Sequence, residues 1–308
     1  MPVICSRAAL APYRLVSGGD TSGTYGIFAL GSISTGSVAT RDKYVYSSDT
    51  VAAATNSIAS STYGSAAGNT TIGIFALSQL RTGLSASRDK YTHSTGAVTA
   101  ATGASTASYA GSACGDSTFG IFALGHAAST TVLSTRDRYT YADNTVTTGT
   151  AASAASSSGA ACGNSTVGIF ALGGLAAGFT AVRDKYTYSS NVVTSGASAS
   201  TASTSGTSAG NSTEAIFALG QSSVDLAVRN KYTYAGDVNT VATSATATTV
   251  SGSAAGNSTA GIFAMGSRNG VLSNAREKYT YSSDVVTAAT SASAASSQGS
   301  AVSNGVAT

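Results

Sequence analysis

At 308 residues the chain is long enough for two ordinary domains, yet all-β rings and barrels reach this size as one unit. Charged residues make up only 9% of it, the formal net charge is +3, and no run of five or more Lys/Arg occurs. This excludes a nucleic-acid stripe and a polybasic membrane patch, and leaves a surface rich in Ser, Thr, Ala and Gly.

In chain order, Met1 to about Ser17 comes first and lies outside any repeat. It lacks a basic segment ahead of a long apolar core, and nowhere does an apolar run approach the roughly 18 residues of a membrane span. Sec export is therefore not expected. The reading is an N-terminal arm, residues 1–17, free to dock on another subunit, followed by a single repeat domain over 18–308.

The repeat is the dominant signal. GIFAL and its variants place an aromatic at Phe28, Phe75, Phe122, Phe170, Phe217 and Phe263, with spacings of 47, 47, 48, 47 and 46. RDKY and its variants place Tyr44, Tyr91, Tyr139, Tyr186, Tyr232 and Tyr279 on the same beat. A G-N-S-T type turn recurs at Asn69, Asp116, Asn164, Asn211 and Asn257.

One copy reads as four strands. Small residues from Ser251 to Ala255 form an inner strand A, and Gly256-Asn257-Ser258-Thr259 supplies residues that turns select. Strand B, Gly261 to Met265, is apolar on both faces, as a strand buried between layers should be. After a loop of about ten residues, strand C sets Glu277, Tyr279 and Tyr281 on one face and Arg276, Lys278 and Thr280 on the other. Strand D, Val285 to Ala288, is β-branched and suits an outer edge. Residues 296–304 repeat the strand A and turn pattern with no strand B after them. They are expected to supply the inner strand of the first blade, whose strands B to D lie within Gly26 to Ala54, and so to seal the ring. Deleting Gln298 to Thr308 should then lower thermal stability sharply.

The order of these strands resembles the kelch repeat, in which an aliphatic strand ending in Gly-Gly is followed by a strand with a Tyr-containing turn. Gly173-Gly174 reproduces the double glycine, whereas other copies keep one Gly or, at Ser78, none, and the usual outer-strand Trp is absent throughout. The fold expected is all-β: a six-bladed propeller of four-stranded antiparallel blades, with a β-solenoid as the alternative.

Chemistry is sparse. Asp42, Asp89, Asp137 and Asp184, with Asn230 and Glu277 in the other two copies, could line a cation-binding ring, but each acid is flanked by bases, which favours ion pairing. His93 replaces the second Tyr of strand C and reads as a core aromatic. His126 lies in a variable loop with no Cys or acid beside it. Cys5, Cys114 and Cys162 give no paired framework, and a Cys114–Cys162 bridge requires inner strands of adjacent blades to approach within about 7 Å. Sequons at Asn69, Asn164, Asn211 and Asn257 are better explained as turns. No catalytic residues, metal site or cofactor are expected.

The B-to-C loops differ most between copies. They carry Leu80, Arg81, His126, Phe179, Asp225, Arg268 and Asn269, each without counterparts elsewhere. Such loops on a rigid scaffold are where recognition is usually carried, drift at exposed tips being the alternative. The phrases GNSTxGIFALGG and RDKYTYSSD across all copies also look like kelch-like repeat proteins of phage virions, particularly of phages infecting cyanobacteria. That resemblance implies a tail, fibre or head-decoration component in an oligomeric assembly, joined to other virion proteins by its arm and facing a host-surface glycan or protein. A secreted or cell-surface carbohydrate-binding propeller is the alternative, though sugar sites usually stack on an exposed aromatic and the chain has no Trp.

Overall fold

The computed structural model describes residues 23–127 and 131–305. The expected N-terminal arm and Cys5 lie outside these residues. Six four-stranded antiparallel sheets follow one another as the blades of a propeller. Strands A to D are Ala66–Gly68, Ile72–Ala76, Arg88–Thr92 and Val98–Ala101 in blade 2, and Ser112–Gly115, Phe119–Ala123, Arg136–Thr140 and Thr145–Gly149 in blade 3. They are Ala160–Gly163, Val167–Ala171, Arg183–Thr187 and Val192–Gly196 in blade 4. Blade 5 has Thr207–Gly210, Glu214–Ala218, Arg229–Thr233 and Val238–Ala242, and blade 6 has Ser253–Gly256, Ala260–Ala264, Arg276–Thr280 and Val285–Ala289.

Blade 1 is assembled from both ends of the repeat domain. Its strands B, C and D are Tyr25–Ala29, Arg41–Val45 and Thr50–Ala54, and its strand A is the C-terminal Ser300–Ser303, paired antiparallel with Gly26↔Ser303 and Ala29↔Ser300. The solenoid alternative is therefore not the fold. Asn304 completes the splice: its Oδ1 accepts from Thr24 N at 2.8 Å and Tyr25 N at 3.0 Å. Asn69 does the same within blade 2, where its Oδ1 accepts from Thr71 N at 2.9 Å and Ile72 N at 3.0 Å. The turn that is covalent in the other blades is thus rebuilt across the junction.

The sequons are engaged in these turns. Besides the acceptor role of its oxygen, Asn69 donates from Nδ2 to Ser117 O of the next blade at 3.0 Å, and Asn164 and Asn211 reach Ser212 O and Ser258 O likewise.

The core lies between blades. Strand B is buried on both faces, with Ile27, Ile74, Ile121, Ile169, Ile216 and Ile262 fully enclosed and the six Phe of the repeat 1% exposed. Burying each such side chain is worth roughly 1.5–3 kcal/mol. Strand C differs from an amphipathic strand at its start, because Arg276 and Glu277 are both buried, as are their counterparts. The alternation of faces holds, but each face meets a neighbouring blade rather than water.

Two local features complete the frame. The B-to-C loops are ordered: in blades 1, 2, 4 and 6 they form short hairpins, such as Gln79–Leu80 with Gly83–Leu84. The reason is a clamp from the D-to-A segments, since Thr62 N bonds Gln79 O at 3.0 Å while Ser61 N bonds Val38 O of the preceding blade at 3.3 Å. In addition, Cys114 and Cys162 are free thiols. Each sulfur instead faces a tyrosine of the next blade, Tyr188 Oη at 3.4 Å and Tyr234 Oη at 3.7 Å.

Candidate functional site

Two rings stand out, one buried and structural, the other at the axis. The buried ring comes from the RDKY run. The acid does not pair within its own motif. Because adjacent residues of a strand point to opposite faces, Arg and Asp of one blade turn toward different neighbours. Arg41 reaches Asp89 at 2.5 Å, Arg88 reaches Asp137 at 2.8 Å, Arg136 reaches Asp184 at 2.8 Å, and Arg229 reaches Glu277 at 2.7 Å. Arg276 closes the circuit on Asp42 at 2.8 Å. Each guanidinium also lies over the strand B Phe of the next blade, from Arg41 over Phe75 at 4.2 Å to Arg276 over Phe28 at 4.7 Å.

The carboxylates are further engaged by the D-to-A segments: Ser105 N and Oγ donate to Asp137 at 3.0 and 2.6 Å, and Ser153 N and Oγ to Asp184 at 3.0 and 2.5 Å. This occupation by arginine and backbone N–H groups is what a buried carboxylate requires. Among the described residues no cluster of three or more His, Cys, Asp or Glu has metal-binding geometry.

One seam departs from the rule. Arg183 donates to Asn230 Oδ1 at 3.3 Å and makes its shorter bond to Asn239 Oδ1, which accepts at 2.7 Å. Desolvation lowers the pKa of every belt arginine, but Arg183 has no carboxylate to oppose it and falls to about 10. A second departure is at the blade 1–2 seam, where His93 takes the place of the second Tyr. Val302 there occupies the position held by Ala67, Cys114, Cys162, Ala209 and Ala255 in the other inner strands. The smaller ring thus faces the larger inner residue, and Tyr25 packs edge-on against it with centroids 5.6 Å apart. Burial pushes His93 down to about 4, so it is neutral at pH 7. The sequence expectation of a core aromatic is met.

The axial ring was not legible beforehand. Just before each strand A sits a residue with positive φ: Tyr63, Ala110, Ser158, Ser205, Ser251 and Gln298, all between 52° and 58°. Their backbones form a closed cycle of N–H···O=C bonds. Tyr63 donates to Gln298, Gln298 to Ser251, Ser251 to Ser205, Ser205 to Ser158, Ser158 to Ala110 and Ala110 to Tyr63, over 2.7–3.1 Å. Left-handed backbone is unfavourable for residues with a Cβ, and the cycle holds all six in it. Beneath the ring lies an axial cavity of about 130 Å³ lined by small residues, among them Ser65, Ser112, Ser253 and Ser300, with no charged side chain in its wall.

The sequence-predicted loop residues all stand on the face that carries this ring, because strand B ends where strand A begins. They are spread around the ring rather than gathered. Arg81, Phe179 and Asn269 are exposed, with Phe179 at 47%. Leu80, Asp225 and Arg268 are half-buried. Structure joins two of them: Asn269 N donates to Asp225 Oδ2 at 3.2 Å across blades 5 and 6. Asn269 and Gly270, with φ of 50° and 79°, form the tight tip of their hairpin.

His126 has a different neighbour. Its ring stacks on Tyr109 with centroids 5.0 Å apart and planes 20° off parallel, and Tyr109 meets Tyr63 edge-on at 5.7 Å. Among the described residues Tyr63 and Tyr109 are the two tyrosines outside the buried core. Sequence reasoning missed both. The signal available was that they fall outside strand C, where the repeat places its tyrosines.

No protein-family model matches the chain, and no curated protein is recognisably similar to it.

Proposed function

We propose that the protein is a non-enzymatic structural and attachment component of a virus particle, a tail, fibre or head-decoration part, whose ring presents the B-to-C hairpins to a host surface or to neighbouring subunits. The observation that carries the reading is the placement of side chains unique to single blades, Phe179 and Arg268 among them, on hairpins clamped to one face of a ring that is otherwise nearly uniform. Rigid scaffolds with variable loops are how recognition surfaces are commonly built.

Chemistry favours binding over catalysis. Burial raises the thiol of Cys114 to about 12 and of Cys162 to about 11, so neither is a nucleophile at pH 7. The belt carboxylates are taken up by arginines. The kelch-like phrasing of the repeats supports the virion context, in which residues 1–17 anchor the ring to other virion proteins. No described helix is long and apolar enough to cross a membrane.

Mass spectrometry of purified particles tests the context directly: the protein is expected among their components, and its absence from intact particles overturns the assignment. Replacing Phe179 and Arg268 together should reduce adhesion or assembly while leaving the fold intact. Wild-type behaviour of that variant would identify the loop differences as drift.

A further inference from the structure

We infer that the sector of the axial rim formed by Tyr63, Tyr109, His126 and Gln298 is a binding site for one neutral pyranose residue of a glycan. The inference deepens the attachment reading by naming a ligand class and rests on it only for the biological setting.

Three separate departures from the repeat converge on this one place. The position of Tyr63 is held in the other blades by Ala110, Ser158, Ser205, Ser251 and Gln298. The position of Tyr109, paired with the first B-to-C residue, is held by Thr62, Ser157, Thr204, Val250 and Ser297. The position of His126 is held by Gln79, Gly174, Gln221, Ser267 and Ser32. None of these replacements is aromatic, and all sustain the same backbone bonds, so packing does not demand the aromatic trio. Tyr63 moreover keeps φ at 56°, where a bulky side chain is disfavoured and an alanine or serine serves its neighbours.

The chemistry of the sector selects the ligand. Tyr63 and Gln298 stand side by side on the wall of the axial cavity, and Gln298 Nε2 donates to Tyr63 Oη at 2.7 Å. That bond leaves the Tyr63 hydroxyl proton and the Gln298 amide oxygen free to bond a ligand. The tyrosine rings offer an apolar face beside these polar tips, the combination that suits the C–H face and hydroxyl edge of a sugar ring. Absence of any charged residue from the cavity wall disfavours phosphorylated or acidic ligands. A cavity of about 130 Å³ corresponds to roughly four waters at about 30 Å³ each, so it takes in the hydroxyl edge of one sugar ring, whose face rests at the mouth, and is too small for a buried oligosaccharide. Further sugar residues would extend outward past Tyr109 and His126.

The test is titration of the full chain with neutral mono- and disaccharides of glucose, galactose and mannose, followed by Tyr63→Ala and Tyr109→Ala. Alanine is what blade 3 carries at the Tyr63 position, at Ala110, so the ring should form and the melting temperature should stay within a few degrees. We expect at least one of these sugars to bind with Kd of about 1 mM or tighter, and each variant to lose tenfold or more. Tyr63→Phe should keep stacking and lose only part of the affinity. Failure of all the neutral sugars to bind, binding confined to charged saccharides or peptides, or equal binding by the alanine variants would overturn the site. A protein that binds sugar but is missing from particles would keep this inference and remove the virion reading; the opposite pair of results would do the reverse.

Discussion

The belt between blades and the rim around the axis are built from the same repeat, yet they tolerate change differently. In the belt, a departure comes with compensation. Where Asn230 replaces an acid, Asn239 supplies Arg183 with an acceptor, and where His93 replaces a tyrosine, Val302 and Tyr25 fill the space. At the rim, Tyr63, Tyr109 and His126 replace small or polar residues with no neighbour requiring them. Each belt residue touches the next blade, so the repeat is enforced there by packing; at the rim the repeated contact is the backbone cycle, which side chains as different as Tyr63, Ala110 and Gln298 all sustain.

The largest expected effect appears in the belt at high pH. Burial raises the tyrosine pKa values of the belt, Tyr25 and Tyr139 both to about 12 from an ordinary 10.0. A raised folded-state pKa contributes stability that is complete below pH 10.0 and is lost as pH climbs through about 12. Alkaline titration followed by tyrosinate absorbance and circular dichroism should therefore show the belt tyrosines ionising together with loss of sheet structure. Smooth ionisation of all tyrosines near pH 10.0 in a folded protein would break the comparison.

How much of this was legible follows the same division. Strands B and C could be read because Ile262-Phe263 and Lys278-Tyr279 recur in phase with the repeat, and the closing strand because residues 296–304 repeat the inner-strand phrase. Partner choice in the belt could not be read. Arg276 and Glu277 are adjacent in sequence, and only the blade geometry shows that one turns forward to Asp42 and the other back to Arg229. The rim was hidden for another reason: Tyr63 and Tyr109 sit in low-complexity Ser/Ala/Thr segments whose backbone cycle depends on contacts between all six blades.

A smaller effect should come from Arg136→Met. It leaves Asp184 buried with only the Ser153 N–H and hydroxyl for company, a loss of about 3–5 kcal/mol and roughly 10 °C in Tm. Thermal melts check it, and a change under about 1 °C would show that the belt pairs carry nothing.

Smaller still is Asn230→Asp, which gives Arg183 the carboxylate that the other five belt arginines possess and should add about 1–2 kcal/mol. Asp184→Asn, converting a regular seam to the exceptional kind, should lower stability. Chemical denaturation of both variants sharpens the comparison, and equal stability of the pair would remove the distinction between seams.

Everything rests on Ser300–Ser303 lying beside Tyr25–Ala29 in the same chain. Oxidising a double variant, Ala29→Cys with Ser300→Cys, and mapping the cross-link by mass spectrometry reads that pairing directly, since paired positions of antiparallel strands lie about 4.5–5.5 Å apart at Cα. The propeller predicts an intramolecular bridge between the two introduced thiols in folded monomer; no bridge, or one found only between chains, contradicts it.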